Sequence, residues 1–153
     1  HASSYPRKPR GVPRELTPDY ERRLSFCCAR SGCRKRATPP SLRFLGRKVY
    51  LAAVVVLIAA LRCGPTPARL RTLQALAGVN RRTVMRWRAW WTRTLVDTPF
   101  WRAAAGALMP PVECAELPAA LLERFAGSPR DRLLGLLRFL SPITTGSPAV
   151  QGR

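Results

Sequence analysis

The segment LRTLQALAGVNRRTVMRWRAWW, residues 70–91, constrains the fold more than any other part of the chain. It reads as two helices joined by a tight turn. Thr66 can cap the first helix, and Pro67 suits its first position, where a missing N–H costs nothing. Leu70, Leu73 and Ala77 recur at helical spacing and mark a buried stripe. Gly78 supplies the positive φ that a tight turn needs, Val79 plugs the gap between the helices, and Asn80 caps the second helix. At about 100° per residue, Val84, Trp87, Trp91 and Leu95 share one face, with Arg82, Arg86, Ala89 and Arg93 opposite. An aromatic core face backed by arginines predicts a helix-turn-helix whose second helix suits a major groove. The alternative is an amphipathic hairpin with a solvated charged face.

The charge distribution points the same way. The chain has 153 residues and a formal net charge of +19, from 27 basic and 8 acidic groups. Residues 1–50 carry 13 of the basic groups, 51–100 carry 8, and 101–153 carry 6. The positive charge sits on and before the predicted helix pair, as an electrostatic footprint for phosphate would. Arginine outnumbers lysine 24 to 3, which fits either a GC-rich genome or guanidinium chemistry. The apolar run VYLAAVVVLIAAL at 49–61 spans only about 20 Å as a helix. A hydrocarbon core is about 30 Å thick, so a buried first helix of a three-helix head is expected, with no membrane partner. No signal peptide is visible, and the start at His1 reads as a processed chain or a fragment.

Five segments follow. Residues 1–20 form a basic, proline-rich extended arm, and Arg7 and Arg10 on it could meet the negative potential of a minor groove. A linker of the same composition is equally expected. Residues 21–48 hold a cysteine-containing hairpin, with Leu24 and Phe26 alternating on a strand, a turn at Ser31 and Gly32, and Arg34, Lys35 and Arg36 on the return. Residues 49–97 are the helix-turn-helix head and 98–140 a helical extension, with helices at 118–126 and 129–140. Ser128 and Asp131 have capping-box form. Residues 141–153 read as a flexible tail.

Cys28 and Cys33 flank the glycine turn with four residues between them, a spacing that can hold one side of a tetrahedral zinc. The odd count of five cysteines argues against a disulfide framework, and Cys63 and Cys114 read as small apolar fillers.

Two stretches resemble bacterial insertion-sequence proteins. Leucines followed by G-V-N, basic residues, T-V and R-W are similar to the helix-turn-helix of transposases and their associated DNA-binding proteins. Residues 24–50 resemble the second half of the zinc ribbon of such proteins: Cys28 and Cys33, then Thr38, Pro39, Pro40 and Ser41, then Arg43, Phe44 and Leu45 ahead of the apolar helix. The resemblance implies zinc at Cys28 and Cys33, completed by an upstream Cys pair that this sequence does not carry. It also implies double-stranded DNA, for example the ends of a mobile element, as partner. A transposase would then be a second partner and the cytoplasmic nucleoid the location.

Catalysis is not expected. Two-metal phosphoryl transfer needs converging carboxylates, and the eight acidic residues show no such grouping. The single histidine is His1, no glycine loop cradles phosphate, and the cysteines lack a histidine base. The expected fold is therefore mainly α: a three-helix helix-turn-helix head, a small N-terminal β-hairpin or half zinc ribbon, and a C-terminal helical extension. The expected DNA contacts are Arg82 and Arg86 on base edges or nearby phosphates, and Arg81, Arg88 and Arg93 on phosphates. Arg34, Lys35 and Arg36 extend the basic surface. Alternatives are a host transcription regulator, self-association or partner docking through the leucine-rich 118–140 region, and RNA binding through the arm.

Overall fold

Val84, Trp87, Trp91 and Leu95 are buried to 2% exposure or less, and the helical body is built around them. The computed structural model describes residues 1–7, 9–10, 18–45, 51–59 and 66–144. The architecture is mainly α with one small sheet. Three antiparallel strands, β1 (Ala2–Pro6), β2 (Arg22–Cys27) and β3 (Arg36–Ala37), pair in that order. The helices are α1 (Ala52–Ala59), α2 (Pro67–Ala77), α3 (Arg81–Ala89), α4 (Pro99–Ala105), α5 (Ala119–Leu122) and α6 (Pro129–Leu140).

Three helix starts share a local cause. Thr66, Thr98 and Ser128 each accept a backbone N–H and are followed by proline at the first helical position. α1 is apolar almost all round and buries Ala52, Val55, Val56, Ile58 and Ala59. It packs on both α3 and α6. Val49, Tyr50, Ala60 and Leu61 of the expected apolar helix lie outside the described residues, as does Cys63. Among the described residues, no helix is long and apolar enough to cross a membrane.

Several expectations are modified. α3 does not end as an α-helix but runs into a π-helical stretch, Trp90–Leu95. The expected helix at 118–126 shrinks to the single turn of α5, beyond which Arg124 N–H bonds the Leu121 carbonyl and Phe125 N–H the Leu122 carbonyl in tighter i→i+3 turns, and Gly127 (φ 96°) then leads into α6. Leu136, Leu137 and Leu140 of α6 are buried in this chain's own core with Leu121 and α1, so the leucine surplus is used internally. No large hydrophobic side chain of 118–140 is exposed. Part of the expected arm is a strand, since Ala2–Pro6 hydrogen-bonds along β2, with Ala2 opposite Phe26 and Pro6 opposite Arg22. Ser141–Thr144 of the expected tail is a 3-10 turn, and 145–153 lie outside the described residues.

The sheet also settles a face that alternation alone leaves open. β2 buries Arg23 and Ser25 and leaves Leu24 and Phe26 exposed at 57% and 46%. The reason is Phe44, which is buried beneath the odd-numbered face. The Arg23 guanidinium lies 5.0 Å from its ring centre, a cation–π contact that suits a buried arginine.

Candidate nucleic-acid interface

α2 and α3 meet at a turn built by three residues. Gly78 takes φ 61°, and its N–H donates to the carbonyl of Gln74, closing α2. Val79 is buried in the crevice. The Asn80 side chain accepts the Thr83 N–H at 2.9 Å and starts α3. α2 itself buries no residue completely, and its expected stripe of Leu70, Leu73 and Ala77 is half-buried against the core.

α3 divides sharply. Thr83, Val84 and Trp87 are buried, while Arg81, Arg82, Met85 and Arg86 are exposed. Arg88 is half-buried, between the two faces. Arg93 is exposed but lies in the π-helical stretch, where bonds close i→i+5. A wheel of about 100° per residue does not carry past Trp90, so the alignment of Arg93 with Arg86 does not follow from spacing. Thr98 ends the stretch by donating its hydroxyl to the Leu95 carbonyl at 2.6 Å while capping α4. Met85, 48% exposed among the arginines, was missed by sequence reasoning, although the same wheel sets it between Arg81 and Ala89.

The hairpin holds a second basic cluster. Arg34, Lys35 and Arg36 are all exposed, Arg34 at the unusual φ of 42°. They frame Cys28 and Cys33, which the turn brings together. Cys28 N–H donates to the Lys35 carbonyl and Cys33 N–H to the Arg30 carbonyl. The Cys33 thiol is held below the usual thiol range, first by a hydrogen bond from the Lys35 backbone N–H and then by one from the Cys28 side chain. The pair can present two sulfur ligands to one soft cation. Among the described residues, no group of three or more His, Cys, Asp or Glu side chains could hold a metal, so a tetrahedral zinc lacks two ligands here. Cys27, Cys28, Cys33 and Cys114 are all free thiols.

Arg7 and Arg10 differ in setting. Arg7 is half-buried, and its backbone N–H donates to the Glu21 carbonyl, so it belongs to the sheet rather than to a free arm. Arg10 is exposed, and Lys8 and residues 11–17 lie outside the described residues. Sequence reasoning also passed over Arg22 and Arg43. Arg22 donates to the Ser4 hydroxyl at 2.6 Å, and Arg43 lies 4.6 Å from the Tyr20 ring centre while donating to the Asp19 carbonyl at 3.1 Å.

No protein-family model matches the chain, and neither a curated protein nor a solved structure matches it.

Proposed function

We propose that the chain binds double-stranded DNA without catalysing a reaction, with α2, the Gly78 turn and α3 acting as a helix-turn-helix. The observation that carries this reading is the division of α3. Its inward face is fixed by Val84 and Trp87, and its outward face offers Arg81, Arg82 and Arg86 to solvent. A rigid helix with a packed back and a row of guanidiniums in front fits the major groove, where arginine can bond guanine O6 and N7. Arg88 and Arg93 would reach flanking phosphates. Arg34, Lys35 and Arg36, with Arg10, would add non-specific attraction. The role that the insertion-sequence resemblance implies is recognition of mobile-element ends in the nucleoid, with a transposase supplying catalysis. Zinc at Cys28 and Cys33 would require two further ligands.

The test is duplex binding followed by anisotropy across a salt series. Six to ten phosphate contacts should weaken binding by about 10³–10⁵ between 50 and 200 mM salt. Arg82→Ala combined with Arg86→Ala should abolish preference among sequences while leaving the circular dichroism spectrum intact. Wild-type affinity in that double variant would sink the groove assignment. Equal affinity for A-form duplex RNA would point away from a helix in a major groove, because side chains cannot enter that of RNA.

A further inference from the structure

β2 has one edge that its neighbours leave half covered. Along β1 it pairs from Arg22 to Phe26, but β3 meets it only at Phe26 and Cys27. Continuing that register would set Leu24 opposite Pro39 and Arg22 opposite Ser41. Pro39 and Pro40 have no N–H to give a ladder, so the chain swings away from β2 there. A cavity of about 370 Å³ fills the resulting slot, bounded by β2 and residues 38–44. The backbone adds polarity to it. Arg7 N–H bonds the Glu21 carbonyl and Cys27 N–H the His1 carbonyl, so odd-numbered residues of β2 direct their main-chain groups at β1. The N–H and C=O of Arg22 and Leu24 therefore face the slot.

The side chains define what it takes. Three arginines line it, Arg22, Arg23 and Arg43, and no carboxylate does. Each guanidinium is held in place: Arg22 on Ser4, Arg43 on Tyr20 and the Asp19 carbonyl, Arg23 over Phe44. Arg23 is 4% exposed, at the inner wall of the slot. The rest of the wall is mostly apolar, from Leu24, Pro39, Pro40, Leu42 and Phe44, with Thr38 and Ser41 among them. The volume lies within the small-molecule range of about 300–1,000 Å³, more than a bare phosphate needs.

We propose that this slot is a nucleotide site, taking one phosphate on Arg22 and Arg43 and a planar base against the apolar wall. Charge complementarity selects the phosphate, and the apolar surface selects the attached ring over an inorganic anion. The inference does not use α3, and it stands whether or not α3 enters a groove.

Amide chemical shifts of the full chain test it with four probes: inorganic phosphate, a deoxynucleoside 5′-monophosphate, a 5′-phosphorylated single-stranded hexanucleotide and an Asp/Glu-rich hexapeptide. The nucleotide should shift the amides of Arg22, Leu24, Ser41 and Phe44 saturably. Arg22→Ala with Arg43→Ala should weaken it by at least roughly tenfold, and Arg82→Ala with Arg86→Ala should not. Arg22→Gln keeps a donor for Ser4 and guards against misfolding; it should weaken binding in the same direction. Equal affinity for mononucleotide and hexanucleotide assigns the site to a free nucleotide, and tighter hexanucleotide binding assigns it to a nucleic-acid strand; both support the site. Absence of saturable shifts, indifference to the arginine substitutions, phosphate binding as tightly as nucleotide, or preference for the acidic peptide each overturns it. Duplex binding measured on the same samples reports separately on α3.

Discussion

Gly135 sits inside α6, where glycine costs about 1 kcal/mol relative to alanine in an exposed helix. Its neighbour explains it. A Cβ at that position would stand 2.6 Å from the Phe125 ring and 3.2 Å from the Phe125 Cβ, so the root of the side chain is in the way as well as its tip. Overpacking of this kind costs about 1–3 kcal/mol, which outweighs the propensity gain. Gly135→Ala should therefore lower the urea midpoint, and a raised midpoint would show that Phe125 can move aside. At the start of the same helix, Asp131 closes a capping box. Its carboxylate accepts from the Ser128 hydroxyl at 2.6 Å and from the Ser128 N–H at 3.0 Å. The side-chain bond first and the backbone bond second hold Asp131 below the usual carboxylate value. A depressed acid stabilises the fold fully above its unfolded-state pKa, about 3.9, and that contribution is lost as pH falls through the lower folded value. Wild type should thus lose more stability on acidification below about pH 4 than Asp131→Asn does, as read by urea melts at stepped pH. Parallel pH curves for the two proteins would rule out the box as an acid-sensitive element.

At the scale of elements, what was legible in the sequence was what depends on near neighbours. Thr66, Gly78, Asn80 and the Ser128–Asp131 pair were readable because a cap or turn is settled within about four residues, and the structure has all of them. The burial of Val84 and Trp87 was readable from period alone, while Trp91 and Leu95 are buried within the π-helical stretch, where an α-helical wheel no longer fixes the face. The exposed face of β2 was not. Alternation gives the period of a strand and leaves its sense open, and Phe44, eighteen residues beyond Phe26, decides it. The same distance hides the Arg22 and Arg43 slot. The π-helical stretch was equally invisible, since nothing in WWTRTL departs from an α-helical pattern. The face of α3 carries a prediction of its own. Met85 is 48% exposed between arginines, where an apolar partner would complete its burial. In a major groove that partner is the thymine methyl group. On a duplex selected for tight binding, replacing one thymine at a time by deoxyuridine should weaken wild type at one position or two and leave Met85→Ala unaffected. A wild-type scan without any loss would mean that Met85 reads no base.

Over the whole molecule, charge acts on stability and on binding with opposite signs. A net charge of +19 in 153 residues repels itself in the compact state. Eight carboxylates against 27 basic groups do little to offset this. Salt shortens the reach of the repulsion, with a Debye length of about 30 Å at 0.01 M and about 10 Å at 0.1 M. Raising sodium chloride across that interval should therefore raise the urea midpoint of the free protein. The hydrophobic core has no comparable sensitivity to so little salt, so the effect isolates the charge. The same interval should weaken attraction to duplex DNA, since each neutralised phosphate releases counterion into a more concentrated solution. A bound polyanion replaces screening by direct neutralisation and stabilises by mass action, so adding duplex at low salt should raise the midpoint by more than salt alone does. Arg82→Ala with Arg86→Ala separates these contributions. Removing two repelling charges should make the free protein more stable at low salt and reduce its gain from added duplex. If the double variant is less stable at low salt than wild type, those guanidiniums hold the fold together and are not a surface kept free for a partner.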